Sequence, residues 1–127
     1  MAPEEIQALL QESEETLFHR LGEQVVSRRH ASLFTPPSVF ELIEMGKKYF
    51  YDVRESVRSA ICSNETIRKC LDKDRELDNV QIVLAVAAIL ARFDWLPAAQ
   101  VSILSVILVR RGLEAYCKQT NDLGEQS

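Results

Sequence analysis

The sequence predicts an all-α fold, a single-domain bundle of four or five helices built around a central apolar helical hairpin. One indication is that the 127 residues include only four Gly and four Pro, and no Asn-Gly or Asp-Gly pair marks a β-hairpin. Another is that apolar residues recur at helical spacing through the N-terminal half. The third is that residues 80–109 are almost wholly apolar and are interrupted by a turn-like segment at 93–97. We expect the bundle to cover residues 1–117 and the polar tail 118–127 to fray.

The first helix is predicted from about Pro3 to about Ser32. Proline suits the opening turn of a helix, and the glutamates that follow it favour the positive end of the helix dipole. Gly22 interrupts the middle of this helix and predicts a bend or a close crossing by another helix. The apolar stripe that supports the helix, broken by a polar gap at Ser13, consists of Ile6, Leu10, Leu17, Leu21 and Val25.

The second helix is predicted to begin at Ser38, after the clear break at Thr35-Pro36-Pro37. Ser38 followed three residues later by Glu41 is a capping-box pattern, the best local signal in the chain. Helical spacing continues to about Cys62. Its core stripe is Ile43, Gly46, Phe50, Val53, Val57 and Ile61.

Three further helices complete the prediction. A short third helix follows a cap at 63–66, runs through Leu71 and ends in the charged connector 72–76. Asp78 and Gln81 form a second capping-box pattern that opens a fourth helix ending near Arg92. Pro97 opens a fifth helix that continues through Val109 to Tyr116. The β-branched segment 101–109 would also suit a strand, but a lone strand would have no partner, so helix is preferred.

The apolar hairpin is too short to span a membrane, because each leg of about a dozen residues reaches roughly 18 to 20 Å as helix against the roughly 30 Å of a bilayer core. We therefore expect it to be buried by protein. The fifth helix is apolar around its whole circumference, and three flanking helices look insufficient to cover it. The sequence thus predicts a homodimer or larger assembly that buries the surplus.

Composition narrows the range of partners and locations. The net charge is −4 and the pI is near 5.2, so generic binding to nucleic acid or to an anionic membrane is disfavoured. Cys62, Cys70 and Cys117 form an odd set without a C-x-x-C pair, and the N-terminus carries no export signal. We interpret the three as reduced, small apolar side chains in a cytoplasmic protein, with a Cys62/Cys70 redox pair as the alternative.

No catalytic or cofactor motif is present: the sequence lacks a Gly-rich nucleotide loop, a P-loop, a nucleophile elbow, a zinc-protease motif and an EF-hand. Glu12, Glu15 and His19 have a spacing that could hold one ion, but the Glu-x-x-His motifs of bundle metal sites are missing, and a solvated acidic face is preferred. We expect no cofactor and no metal, and we lean against an enzyme.

One helix face forms a candidate surface for a partner or an anion. Lys47, Tyr51, Arg54 and Arg58 follow i, i+4, i+7, i+11 spacing and place three cations around an aromatic ring. The neighbouring carboxylates favour a plainer interpretation, a face of helical ion pairs. Trp95 lies in the predicted turn, either packed over the end of the hairpin or presented as an interface anchor.

The leading functional hypothesis is a non-catalytic intracellular interaction or regulatory module that self-associates and binds another protein. The alternative is a small-molecule binder that encloses an apolar ligand between helices, with Lys47, Arg54 and Arg58 meeting its anionic end. A hairpin that inserts into membranes on a trigger is a third hypothesis, which needs longer legs than the sequence supplies.

Overall fold

The computed structural model describes residues 2–28, 37–70 and 78–117. Within these ranges the chain is helical and contains no strand, which confirms the all-α prediction and resolves the choice at 101–109 in favour of helix. The end of the predicted first helix, the break at 35–36, the connector 72–76 and the tail 118–127 lie outside these ranges. The helices are α1 (Pro3–Gln11), α2 (Glu14–Arg28), α3 (Val39–Cys62), α4 (Glu65–Cys70), α5 (Asn79–Leu90), α6 (Ala98–Arg111) and α7 (113–117).

The first predicted helix is wrong as a continuous element, because it divides into α1 and α2. Glu12 has an extended backbone, with φ −75° and ψ 154°. The hydroxyl of Ser13 accepts a hydrogen bond from the backbone N–H of Thr16 at 3.1 Å, as the N-cap of a new helix does. Two glutamates occupy the first turn of α2 and complement its dipole.

Both predicted capping boxes are present. The backbone N–H of Glu41 donates to the Ser38 hydroxyl at 3.1 Å, and the N–H of Ser38 donates to the Glu41 carboxylate at 3.5 Å. The corresponding bonds between Asp78 and Gln81 measure 2.9 and 3.3 Å. These local bonds fix where α3 and α5 begin.

Helices α2 and α3 cross in backbone contact at two glycines, which confirms the close crossing predicted at Gly22. A Cβ atom added to Gly22 would overlap the carbonyl oxygen of Leu42, and one added to Gly46 would overlap that of Phe18. The pairs 22 with 42 and 18 with 46 show that the two helices are antiparallel. Each backbone therefore fills the notch that the glycine of the other helix leaves.

Helix α6 is the centre of the bundle, packed against α1, α2 and α5. Most of its apolar side chains are buried within one chain, which removes the premise that a lone chain cannot cover them. The prediction counted three flanking helices, whereas the break at Ser13 lets α1 and α2 cover α6 separately. The buried residues of α6 are Gln100, Val101, Ile103, Leu104, Ser105, Val106, Ile107 and Leu108.

The polar groups inside α6 have hydrogen-bond partners. Ser105 donates to the carbonyl oxygen of Val101 at 2.7 Å, and Tyr49 of α3 donates to the side-chain oxygen of Gln100, which is 1% exposed. Polar atoms in an apolar core are tolerated when they are bonded in this way. The Tyr49–Gln100 bond also ties the central helix to α3.

The predicted fifth helix is too long at its C-terminal end. It stops at Gly112, whose φ of 98° lies in the region that glycine adopts more easily than other residues. The chain then turns and forms α7, which buries Leu113 and Tyr116. Gly112 was present in the sequence as a stop signal that the continuing apolar pattern masked.

The cysteines also differ from the prediction. Cys62, at the end of α3, forms a disulfide with Cys117, the last described residue of α7, with a Cα–Cα distance of 5.6 Å. The interpretation of these two residues as reduced thiols is therefore wrong, and the Cys62/Cys70 pairing is replaced by Cys62/Cys117. Helix α7 brings together two residues that are 55 positions apart, a proximity that spacing alone does not reveal.

No helix in the described ranges has both the length and the hydropathy needed to cross a bilayer.

Candidate functional site

Three of the four residues predicted to form a partner or anion surface on α3 belong to a cluster that α6 and α7 complete. Tyr51, Arg54 and Arg58 lie on one face of α3, at i, i+3 and i+7. The end of α6 brings Arg111 to this face, and α7 brings Tyr116. We call these five residues the arginine–tyrosine cluster.

Aromatic rings accompany each guanidinium group of the cluster. The Cζ atom of Arg58 lies 4.9 Å from the centroid of the Tyr116 ring. Arg54 lies 5.4 Å from that ring and 5.5 Å from the Tyr51 ring. Arg111 lies 5.6 Å from the Tyr51 ring. Cation–π contacts of this kind allow arginines to be packed closely together.

Arg111 links three helices through its side chain. It donates to the carboxylate of Glu14 from Nε at 3.2 Å and from Nη2 at 2.8 Å, a bidentate pair with the start of α2. Its Nη1 donates to the hydroxyl of Tyr51 on α3 at 3.1 Å. The neighbouring Arg110 donates to the backbone carbonyl of Glu12. The basic pair therefore does more than complement the helix dipole, because it ties α6 to the turn between α1 and α2.

Arg58 is the most buried cation of the cluster, with 6% of its surface exposed. It forms an ion pair with the exposed Glu55 at 3.0 Å. Its Nε atom is buried and makes no hydrogen bond to any described residue. A buried N–H without a partner carries a desolvation cost, so the closed arrangement around Arg58 includes an unfavourable contribution.

Two residues of the predicted surface lie apart from the cluster. Lys47 is 3.9 Å from Glu44, an i,i+3 ion pair of the type that the plainer interpretation expected. Trp95 lies in the turn between α5 and α6, where its ring meets Phe93 edge-on at a centroid distance of 5.5 Å. Trp95 is still 49% exposed, so one side of the ring is packed and the other faces solvent.

Two concave regions are relevant to binding. A small cavity of about 210 Å³ borders Arg54, Arg111 and Tyr116 of the cluster. A larger groove of about 680 Å³ runs along the α5–α6 hairpin. The groove is lined by Glu5, Leu84, Ala87, Ala88, Ala91, Leu96, Ala98, Ala99, Val101 and Ser102. Of these lining residues only Glu5 is charged, so the α3 cations are not part of the groove.

The acidic face considered for a metal ion is occupied by ion pairs. Glu12 accepts two hydrogen bonds from Arg20, at 2.8 and 2.6 Å, and Nδ1 of His19 lies 3.1 Å from Glu23. Among the described residues, no three His, Cys, Asp or Glu side chains are grouped as metal ligands.

Comparison with known proteins gives no relative: no protein family, no curated protein and no solved structure matches this chain. The functional argument therefore rests on the residues and their geometry.

Sequence reasoning found the α3 half of the cluster and missed Arg111, Tyr116 and Cys117. The α3 residues share a helix face that spacing reveals. The others reach the site only through the turn at Gly112, so no local pattern connects them with α3. The one signal available in the sequence was that two of the three cysteines could form a disulfide, which would have brought Cys117 to the end of α3.

Burial raises the pKa of the Tyr116 phenol to about 12, against the opposing effects of Arg58 and Arg54. Between the usual value of 10.0 and this value, the native state keeps a proton that the unfolded chain has released. The free energy of unfolding should therefore fall with rising pH across this window, by about 2 to 3 kcal/mol in total.

The Tyr116→Phe variant tests this prediction, because phenylalanine keeps the ring and has no ionisable group. Urea unfolding of both proteins from pH 9 to 12 should give the unaltered chain the steeper loss of stability. Equal slopes for the two proteins would contradict the burial of the phenol.

Proposed function

We propose that this chain is a non-catalytic protein-interaction module that pairs with a second copy of itself through the turn end of the α5–α6 hairpin. The observation that carries the proposal is the half-exposed Trp95 beside an alanine-lined groove. The earlier reason for a dimer, a surplus of apolar surface on α6, does not apply. The proposed interface lies instead at the turn between α5 and α6.

The groove is suited to a protruding side chain. Five of its lining residues are alanines, whose short side chains leave the open volume of about 680 Å³, and Ala88, Ala98 and Ala99 are exposed. Trp95 immediately precedes Leu96, which lines the groove. A projecting ring and a recess therefore lie next to each other on the same part of the molecule.

In a dimer with a two-fold axis, this pair of ring and groove would occur twice in the interface. In a symmetric dimer the same patch meets itself, so the Trp95 ring of each copy would enter the groove of the other. Tryptophan is prominent among the residues that dominate interface energetics, since it supplies a large apolar area with one polar atom. The adjacent Phe93 ring supports Trp95 from behind and limits its freedom before binding.

Light scattering during size-exclusion chromatography tests this proposal. The Cys70→Ser variant is used throughout to exclude dimers linked by a disulfide. At tens of micromolar we expect a mass near twice the 14.5 kDa of one chain. Trp95→Ala should weaken dimerisation at least about tenfold. Phe40→Ala, which removes a ring that is 70% exposed at the start of α3, is the matched control and should change nothing.

The single tryptophan supplies a second readout. Its fluorescence should shift to shorter wavelength as the protein concentration rises and the ring leaves water. A monomer at tens of micromolar, or a dimer that Trp95→Ala leaves intact, would overturn the proposal.

A second candidate is an apolar ligand held in the same groove. The volume lies within the usual range for small-molecule sites, roughly 300 to 1,000 Å³, and the lining is mainly apolar. The predicted anionic end of the ligand is not supported, because Glu5 lines the groove and the α3 cations do not. Native mass spectrometry of freshly purified protein tests this candidate: a bound species that Ala88→Trp abolishes would favour it over the dimer.

A cytoplasmic location was part of the prediction from the sequence and rested on the absence of an export signal and on three cysteines interpreted as reduced. The Cys62–Cys117 disulfide weighs against that premise, because stable disulfides are uncommon in a reducing cytosol. The proposed self-association does not depend on the compartment.

A further inference from the structure

Helix α7 is attached to the bundle at two points that differ in character. Its first residue follows Gly112, whose backbone has a positive φ and around which no atom would meet an added Cβ within 4 Å. Its last described residue, Cys117, is bonded covalently to Cys62. The helix is thus joined to α6 through an uncrowded glycine and pinned to α3 by the disulfide.

Helix α7 has little stability of its own. Five of its residues, 113–117, are described, and a helical segment this short does not persist in water without outside support. The N–H of Tyr116 bonds to the carbonyl of Gly112 at 3.1 Å, which amounts to a single helical turn. Its position therefore depends on what holds it against α3.

Some noncovalent contacts of α7 favour its docking against α3, and others oppose it. Leu113 and Tyr116 are each 5% exposed, and the Tyr116 hydroxyl donates to the backbone carbonyl of Arg54. The same docking leaves the Nε atom of Arg58 buried without a hydrogen bond to any described residue. Buried donors of this kind oppose docking, whereas water would satisfy them if the helix moved away.

We propose that the Cys62–Cys117 disulfide is a redox-operated latch, which keeps α7 docked over Arg54 and Arg58 when oxidised and frees it when a dithiol reduces the bond. Both cysteines are partly exposed, so a reductant can reach them. Release of α7 turns the buried face of α3 around Arg58 toward solvent. This inference is independent of the proposed dimer, which uses the opposite end of the α5–α6 hairpin.

In the proposed exchange the reductant carries two thiols. One thiolate of the reductant attacks a sulfur of the Cys62–Cys117 bond, forms a mixed disulfide and displaces the other cysteine, which takes up a proton. The second thiol of the reductant then attacks the mixed disulfide and releases the remaining cysteine as a thiol. Two electrons pass to the cysteine pair, and the reductant leaves with a disulfide of its own.

The test compares oxidised and dithiothreitol-reduced protein in the Cys70→Ser background, which excludes exchange with the third cysteine. Hydrogen exchange followed by mass spectrometry should show amides 113–117 exchanging at least tenfold faster after reduction. The amides of α5 and α6 should keep their protection. After removal of the dithiothreitol, oxidised glutathione should re-form the disulfide and restore protection at 113–117. Cys117→Ser should resemble the reduced protein under all conditions.

Tyrosine ionisation gives an independent readout. In the oxidised protein the Tyr116 phenol should titrate at a pKa of about 12, and in the reduced protein near the usual 10.0. Ultraviolet absorbance measures this change, and Tyr116→Phe identifies the signal.

Three results would overturn the latch. The first is two free thiols at Cys62 and Cys117 in protein purified without reductant. The second is unchanged protection of 113–117 after complete reduction and alkylation, which would show that noncovalent contacts suffice. The third is loss of protection throughout α5 and α6, which would identify the disulfide as a general brace of the fold.

Discussion

Replacing Gly46 with alanine is expected to lower the free energy of unfolding by about 3 kcal/mol. The added methyl group would overlap the backbone oxygen of Phe18, an atom that cannot rotate away as a side chain can. Helices α2 and α3 would have to separate along their whole contact, which loosens the packing of Phe18 against Phe50. In most helices this substitution is favourable by up to about 1 kcal/mol, so the expected sign is the reverse of the intrinsic propensity.

Urea unfolding measures this effect, and Ser59→Ala is the matched control. Ser59 lies on the exposed face of the same helix, where the smaller change should stay within about 0.5 kcal/mol. Gly22→Ala should behave like Gly46→Ala, because it meets the carbonyl oxygen of Leu42 in the same way. A Gly46→Ala protein as stable as the unaltered chain would show that the two backbones are not in contact.

Replacing Leu104 with alanine is expected to cost about 3 kcal/mol of stability as well. Leu104 is fully buried in the central helix, where the surrounding helices α1, α2 and α5 limit the collapse of the cavity that it would leave. The loss should be the same at low and at high protein concentration, because the burial is complete within one chain. Thermal unfolding at two concentrations checks both points.

Val109→Ala is the control for this second prediction. Val109 lies on the same helix but is only partly buried, so its truncation removes fewer contacts and should cost markedly less. If the Leu104→Ala loss grows with protein concentration, the burial of Leu104 is completed by a second chain, contrary to its full burial within one chain.

Most of the fold could be predicted because its signals are local. The capping boxes at Ser38 and Asp78 require residues three positions apart, and both occur as expected. The apolar segment of α6 predicted burial, and the structure confirms it. What the segment did not indicate was how many helices would cover it, because coverage depends on the break at Ser13.

The predicted helices differ from the structure where a residue that ends a helix lies within an apolar pattern that continues past it. At Ser13 a hydroxyl cap divides one predicted helix into two. At Gly112 a positive φ ends another, although the apolar spacing continues to Tyr116. In both places one helix ends and another begins, and the consequences for packing appear only in three dimensions.

The candidate site could be predicted only in part, because some of its residues are distant from one another in the sequence. Spacing on α3 placed Tyr51, Arg54 and Arg58 on one face, and this grouping is found in the structure. The residues that complete the cluster, Arg111 and Tyr116, come from segments more than fifty positions away. Trp95 was considered as packed or as an interface anchor, and its geometry has features of both.

The place of α6 in the chain has a consequence for biosynthesis. The ribosome makes the protein from its N-terminus, so the helix around which α1, α2 and α5 assemble is the last long helix of the described chain to emerge. Until residues 98–111 leave the exit tunnel, the apolar faces of α1, α2 and α5 that pack on α6 stay uncovered. The nascent polypeptide should therefore fold late and remain sensitive to protease until α6 has emerged. It should also bind chaperones that recognise exposed apolar helix faces.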